Sequence, residues 1–231
     1  FMNAPQSLLD QSRFNMIEQQ IRPAGILNEA VLEAMMGLSR DAFVASEYQS
    51  VAYSDTEIPI KVAGELSNEN MLAPRIEARL AQELQLKPTD TVLEIGTGSG
   101  FQAALLSRLC AQVKSVEIDS QIAAFATANL AKNHISNVTV EVGDGQNGWS
   151  GESYDAIVIT GSLTAIPDAI KYQLAEGGRL VAVVGKSPVM QLVRITRKSA
   201  SVFEEESIFE TYIKPLRGPV TSNFTFQGLD L

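Results

Sequence analysis

The apolar residues of the first part of the chain follow a helical spacing. Up to about residue 86, leucine, isoleucine, methionine and phenylalanine recur three and four positions apart, which is typical of amphipathic helices. The stretches with this pattern are LLDQSRFNMIEQQI (8–21), LNEAVLEAMMGL (27–38) and NMLAPRIEARLAQELQL (70–86). We therefore predict helices that pack with their apolar faces against another layer.

From Lys87 onward, short apolar runs alternate with helical stretches. The predicted strands are TVLEI (91–95), VKSVEI (113–118), VTVEV (138–142), YDAIVIT (154–160), RLVAVVG (179–185), MQLVRITRK (190–198) and SVFEEESIFETYI (201–213). The predicted helices are FQAALLSRLC (101–110), QIAAFATANLAKN (121–133), with Asp119 and Ser120 as its N-cap, and AIPDAIKYQLAEGG (165–178). This alternation favours an α/β fold with a parallel sheet covered on both faces, and the last two strands, which a short turn joins, must pair antiparallel.

One loop, within VLEIGTGSGFQAALL (92–106), has the composition of a cofactor site. Its glycines follow a strand and open a helix, so the backbone can approach a ligand closely and direct free N–H groups at it. A nicotinamide loop would read G-x-G-x-x-G, but here the third glycine comes one residue early, in the pattern E-x-G-x-G-x-G that suits S-adenosylmethionine. The candidate cofactor residues of this loop are Glu94, Gly96, Thr97, Gly98, Ser99 and Gly100.

Two further strand ends carry suitable side chains. Glu117, followed by Ile118, ends the next predicted strand, where a carboxylate can accept both ribose hydroxyls of a cofactor. The next strand ends in VGDG (142–145), where Asp144 could accept a hydrogen bond from an adenine amino group beside Gly145. Each feature alone could be an ordinary strand end or turn. Their position at the ends of successive strands predicts a single cofactor site.

The segment IPIKVAGELSNENMLAP (58–74) allows two interpretations. It is polar and lies between predicted helices, and its one serine, Ser67, is flanked by Glu65, Asn68 and Glu69. Such a composition is common in solvated connecting loops. The same residues could equally form one wall of an active site, and the segment alone leaves both possibilities open.

These residues resemble the protein-L-isoaspartate O-methyltransferase family. The resemblance covers about residues 14–216 and rests on the glycine loop, the GDG sequence, the N-terminal motifs RDAF and AYSDTEIPI, and IKPL at 213–216. It implies a single domain over 1–231 with a Rossmann-like class I methyltransferase fold: a mostly parallel seven-stranded sheet with an antiparallel last strand. It also implies an N-terminal helical cover with an acceptor wall (14–88), an S-adenosylmethionine-binding core (89–216) and a C-terminal tail (217–231).

The resemblance also implies the reaction. S-adenosyl-L-methionine would be the methyl donor, and the acceptor would be the free carboxylate of isoaspartate in a damaged peptide or protein. Ser67 falls on the position of a family serine beside the transferring methyl group, which makes it the catalytic candidate, but Gly64, Glu65 and Glu69 replace the usual glutamine, threonine and proline.

That altered wall leaves alternatives open. Glu65 and Glu69 would repel an anionic acceptor unless Lys61 or Arg40 compensates for their charge. A relative with the same cofactor and a different acceptor, and a protein that binds the cofactor without turnover, therefore remain as hypotheses.

Composition narrows the classes of partner. The chain of 231 residues has 18 Lys and Arg against 27 Asp and Glu, a net charge of −9, which argues against nucleic acid and anionic membranes as partners. One cysteine, Cys110, and one histidine, His134, make a disulfide or a metal site improbable; we expect Cys110 to be buried, His134 to be exposed after a helix, and Trp149 to anchor a loop. We expect a cytoplasmic protein, and the oligomeric state is open.

Overall fold

The computed structural model of the chain describes residues 7–218. Its N-terminal part is the predicted helical cover, followed by a two-stranded hairpin. The elements are α1 (Leu8–Met16), which continues as a wider turn over Ile17–Ile21 and a tighter one over Arg22–Ala24, α2 (Glu29–Met36), short 3-10 turns at Arg40–Phe43 and Ser46–Val51, the strands β1 (Ile58–Val62) and β2 (Glu65–Met71), and α3 (Pro74–Glu83).

The remaining residues form a seven-stranded sheet with its connecting helices. In chain order these elements are β3 (Thr91–Ile95), α4 (Phe101–Ser107), β4 (Gln112–Glu117), α5 (Ser120–Lys132), β5 (Val138–Val142), β6 (Tyr154–Ile159), α6 (Asp168–Lys171), β7 (Leu174–Lys186), β8 (Val189–Arg197) and β9 (Phe203–Glu210). The strand order is β5-β4-β3-β6-β7-β8-β9. The first five strands of this order are parallel, β8 pairs antiparallel with β7, and the last strand pairs antiparallel with β8, as predicted.

The sheet separates two apolar clusters. Alternate residues of β3 point to opposite faces, so that Val92 packs with the N-terminal cover and helices α3 to α5, whereas Leu93 packs in a smaller cluster that includes Ile170 of α6. Burial on both faces explains why the central strands read as continuous apolar runs. Over residues 7–218, no helix has the length and apolarity needed to cross a membrane.

Two predicted helices differ from the structure. The helix predicted over 70–86 starts only at Pro74, because Asn70 and Met71 belong to β2 and proline is favoured in the first turn of a helix. The helix predicted over 165–178 is wrong over most of its length, since only Asp168–Lys171 is helical. Leu174 is buried as the first residue of β7, so pairing with β6 prevails over the helical spacing of the apolar residues.

Local capping agrees with the sequence. Asp119 is the N-cap of α5, and its carboxylate accepts hydrogen bonds from the backbone N–H groups of Gln121 and Ile122 at 2.9 and 3.3 Å. His134 is exposed just after this helix and Cys110 is buried, as predicted.

Candidate cofactor and acceptor site

A cleft that is partly open to solvent lies at the carboxyl ends of the parallel strands. This is where ligands bind in open α/β sheets, because the loops that leave the strands diverge there. One side of the cleft is formed by the glycine loop and the ends of β4 and β5. The other side is formed by the β1–β2 hairpin and by the closing segment 214–217.

The glycine loop has the backbone that its sequence predicts. Gly96, Gly98 and Gly100 all have positive φ angles, of 96°, 56° and 87°. An added Cβ at Gly96 would overlap the hydroxyl of Thr160, which donates hydrogen bonds to the carbonyls of Ile95 and Gly96 at 3.1 and 2.5 Å. Only glycine fits at that turn, and the loop is therefore held open toward the cleft.

Glu117 lies beside this loop with its carboxylate almost entirely buried. It accepts hydrogen bonds from the N–H groups of Gly98 and Asp119, both at 3.1 Å. Burial raises the pKa of Glu117, and these two backbone donors oppose that rise. Its position joins the glycine loop to the start of α5, where a carboxylate can also accept hydroxyl groups of a ligand.

Eight of the predicted cofactor residues line the cleft together. They are Gly96, Thr97, Gly98, Ser99, Glu117, Ile118, Asp144 and Gly145. Asp144 is exposed there and accepts the N–H of Gln146 at 3.0 Å, which fixes the turn that carries it. Asn129 of α5 supports the opposite end of the loop by donating to the carbonyl of Ser99 at 2.9 Å.

Glu94 and Gly100 lie behind the loop and do not line the cleft. The Glu94 side chain is fully buried and accepts a hydrogen bond from the hydroxyl of Ser115 at 2.5 Å; this hydroxyl also bonds that of Thr97 at 2.6 Å. Burial raises the pKa of Glu94 to about 8, and the Ser115 hydrogen bond opposes that rise. Gly100 packs against α5, where an added Cβ would come within 3.3 Å of the Ala126 carbonyl. Both residues therefore support the loop from behind.

The segment that sequence left ambiguous is a hairpin that forms one wall of the cleft. Strand β1 pairs with β2 through Pro59 and Asn70 and through Lys61 and Leu66, so residues 67–69 form a bulge opposite Ile60. The lining residues of the hairpin and its exit are Ile60, Glu69, Asn70, Met71 and Leu72.

Ser67 holds this bulge in place. Its hydroxyl donates to the carbonyl of Ile60 at 2.7 Å and accepts the N–H of Glu69 at 3.2 Å. The side chain is half-buried and is not part of the cleft lining, so its single proton is directed at the backbone of the hairpin. The assignment of Ser67 as a catalytic residue stays a prediction.

Neither cation considered for charge compensation faces Glu65 or Glu69. Arg40 is completely buried and forms an ion pair with Glu77, and Lys61 forms a salt bridge with Glu47 at 3.1 Å. The cation beside Glu69 is instead Lys214, whose Nζ lies 3.2 Å from Glu69 Oε1. Lys214 lies in the IKPL motif, but nothing in that motif indicated a contact with Glu69.

The floor of the cleft was also missed by sequence reasoning. The Arg40 guanidinium donates to the carbonyls of Ala52 and Leu72 at 2.8 and 2.5 Å and stacks on the ring of Phe101. Its partner Glu77 lines the cleft, and burial raises the pKa of Glu77 while the guanidinium opposes the rise. The arginine thus fixes the exit of the hairpin, α3 and α4 relative to one another.

Trp149 anchors the loop after β5, as predicted. Its indole N–H donates to Glu141, and its ring covers Gly143, where an added Cβ would overlap it. Trp149 is outside the cleft lining, so the loop that carries Asp144 is packed from the side away from the cleft.

Comparison with known proteins agrees with this geometry. A protein-family model described as protein-L-isoaspartate(D-aspartate) O-methyltransferase (PCMT) matches residues 11–218. Relatives named protein-L-isoaspartate O-methyltransferase, from Koribacter versatilis and Methanoculleus marisnigri, are 38% and 41% identical over 91% and 94% of this chain, and over 91% and 95% of their own lengths.

Solved structures show the same fold. One with the name protein-L-isoaspartate O-methyltransferase superposes with a TM-score of 0.78 at 25% identity, covering 89% of this chain and 66% of that one. A second, a protein-L-isoaspartate O-methyltransferase from Plasmodium falciparum in complex with S-adenosyl-L-homocysteine, has a TM-score of 0.74 at 19% identity and covers 89% of this chain and 98% of its own.

Proposed function

The chain belongs to the protein-L-isoaspartate(D-aspartate) O-methyltransferase family, and we propose that it uses S-adenosyl-L-methionine to methylate the free carboxylate of isoaspartyl residues in damaged peptides and proteins. The observation that carries the proposal is the meeting of three strand ends and one hairpin at a single cleft. The strand ends supply a cofactor site, and the hairpin supplies a wall for the acceptor.

The residues of the cleft fit the cofactor. Gly96 and Gly98 have positive φ angles and line the cleft, so the loop backbone can approach the methionine part of the cofactor closely. Glu117 would hold the ribose hydroxyls and Asp144 the adenine amino group, while Ile118 and Ile122 offer apolar contacts to the base. When bound, S-adenosylmethionine supplies a methyl group on a sulfonium, which a carboxylate oxygen takes up as an ester while the C–S electron pair stays on the leaving thioether.

The proposed methyl transfer requires no proton transfer to or from the protein. A carboxylate acceptor is already ionised and nucleophilic at pH 7, so no general base is required. Placement of the acceptor and exclusion of water can contribute roughly 7–11 kcal/mol in favourable systems. The hairpin, the closing segment at 214–217 and the buried Arg40 supply that placement, because they fix the wall relative to the glycine loop.

A labelled methyl-transfer assay tests the proposal. The protein, S-adenosylmethionine with a labelled methyl group and an isoaspartyl peptide are incubated beside the same peptide with an ordinary aspartate. We expect label on the isoaspartyl peptide alone, in a product that releases methanol in mild base because it is an ester. Absence of transfer, equal transfer to both peptides, or a base-stable product would each contradict the proposed reaction.

A further inference from the structure

An ion pair joins the closing segment 214–217 to the β1–β2 hairpin at the cleft mouth. Lys214, in the closing segment, places its Nζ 3.2 Å from Glu69 Oε1 and donates to the backbone carbonyl of Asn68. Both partners belong to the bulge that Ser67 holds in the hairpin. Lys214 and Glu69 themselves line the cleft, and the Lys214 side chain is 47% exposed. A ligand that enters at the mouth therefore meets this lysine.

The other charges around the mouth are acidic or already paired. Glu57 accepts a hydrogen bond from the Asn70 amide at 3.1 Å and has no salt bridge within the described residues. Arg217, the other cation that lines the cleft between residues 7 and 218, is paired with Asp119 at 3.1 Å beside the start of α5. An anionic acceptor that enters beside the hairpin thus meets Lys214, and it can pair with this lysine by displacing Glu69.

We propose that Lys214 determines the specificity for a carboxylate acceptor by exchanging the Glu69 carboxylate for that of the substrate. This inference rests on the proposed methyl transfer. One carboxylate replaces another, so the ammonium group is paired both before and after the substrate binds. The cost of removing it from water is therefore offset in both states. One oxygen of the bound carboxylate is held by Lys214 while the other is free to accept the methyl group.

The exchange also accounts for product release. Methylation converts the anionic carboxylate into a neutral ester, which is a much weaker partner for an ammonium group. Glu69 belongs to the hairpin bulge and stays near Lys214, so the two side chains can form their ion pair again after methyl transfer. Glu69 therefore displaces the ester from Lys214 much more readily than it displaces the unreacted carboxylate.

Peptide binding to the protein saturated with S-adenosylhomocysteine tests this role. The probes are an isoaspartyl peptide and the same peptide with its free carboxylate replaced by a primary amide. We expect the unmodified protein to prefer the carboxylate by roughly tenfold, the order for a hydrogen bond to a charged group. Lys214→Met should abolish this preference. Glu69→Gln should tighten binding of the carboxylate peptide severalfold, because a neutral amide competes less well for the lysine.

Lys61→Met is the matched control. It removes a salt-bridged lysine from the same hairpin but outside the cleft lining, so the preference for the carboxylate should persist. Retention of the preference in Lys214→Met, its absence in the unmodified protein, or weaker carboxylate binding in Glu69→Gln would overturn the inference. A protein that binds the carboxylate peptide through Lys214 yet transfers no methyl group would contradict the proposed reaction and would leave this recognition standing.

Discussion

The guanidinium of Arg40 forms an ion pair with the carboxylate of Glu77 beneath the cleft, with the two side chains 0% and 3% exposed. Pairing of this kind contributes little net stability compared with apolar residues, but removal of one partner leaves an uncompensated buried charge. The pair also connects the hairpin exit to α3, because Arg40 donates to the Leu72 carbonyl. The pair therefore serves to fix the hairpin wall of the cleft.

Arg40→Met should lower the free energy of unfolding by about 3–5 kcal/mol at pH 7, the usual cost of breaking a buried pair from one side. Urea denaturation followed by circular dichroism measures this change. The double variant Arg40→Met with Glu77→Met removes both charges and should recover part of the loss. If the free energy of unfolding of Arg40→Met is within about 1 kcal/mol of that of the unmodified protein, the substitution does not leave Glu77 as an uncompensated buried charge.

Gly96→Ala should destabilise the protein and prevent cofactor binding. The residue has a φ of 96°, and its added Cβ would overlap the Thr160 hydroxyl. Gly64→Ala is the matched control, since Gly64 has a φ of 81° with no atom within 4 Å of an added Cβ. The control should show only backbone strain, about 1–2 kcal/mol, with binding retained. Equal effects of the two substitutions on S-adenosylmethionine titrations would contradict the steric argument.

Glu117→Gln should weaken S-adenosylmethionine binding by about 1.5–3 kcal/mol, the range for a hydrogen bond to a charged group. The glutamine oxygen can still accept the Gly98 N–H, while the bond to the Asp119 N–H and the charge are lost. Isothermal titration calorimetry measures the affinity, and Glu65→Gln on the exposed hairpin is the control. Unchanged affinity in Glu117→Gln would remove this carboxylate from the cofactor site.

Glu94 should make stability depend on pH. Its folded pKa, about 8, is above the usual glutamate value of 4.5, because the carboxyl is buried. The unfolded chain therefore loses this proton first as pH rises, and the stability contributed by Glu94 is complete below pH 4.5 and is lost progressively up to about pH 8.

Glu94→Gln keeps an acceptor for the Ser115 hydroxyl but cannot ionise. The variant should therefore gain stability relative to the unmodified protein as pH increases over this window, with little difference at the acidic end. Urea midpoints measured from about pH 5 to 9, with Glu65→Gln as the control, follow the difference between the proteins. Parallel curves for Glu94→Gln and the unmodified protein would show that Glu94 is ionised in the folded state.

Local sequence signals predicted the structure of the glycine-loop side of the cleft far better than that of the hairpin side. The glycine loop, the Asp119 cap and the strands that end at Glu117 and Val142 are encoded within short stretches, because glycine, capping residues and apolar runs act on their own neighbourhood. The parallel order of the strands then brings their carboxyl ends together without further information.

The hairpin side of the cleft depends on contacts between residues that are distant in sequence. Lys214 meets Glu69, and Arg40 meets Glu77, across long stretches of intervening sequence. The bulge in β2 also hides the alternation by which a strand is usually recognised, since residues 67–69 face a single residue of β1. A polar segment with such an interruption looks like a connecting loop from its composition alone.

Ser67→Ala should depress methyl transfer while leaving cofactor affinity nearly unchanged, and the kinetic pattern will identify its cause. The hydroxyl bonds the Ile60 carbonyl and the Glu69 N–H outside the cleft lining. A loosened bulge would displace the Asn68 carbonyl that positions Lys214 and raise KM for the isoaspartyl peptide at constant kcat, whereas a lost transition-state contact would lower kcat and kcat/KM equally. We expect the rise in KM. Ser54→Ala, at an exposed position before β1, is the control for loss of a hydroxyl. Unchanged KM and kcat in Ser67→Ala would show that the hairpin keeps its bulge without this side chain.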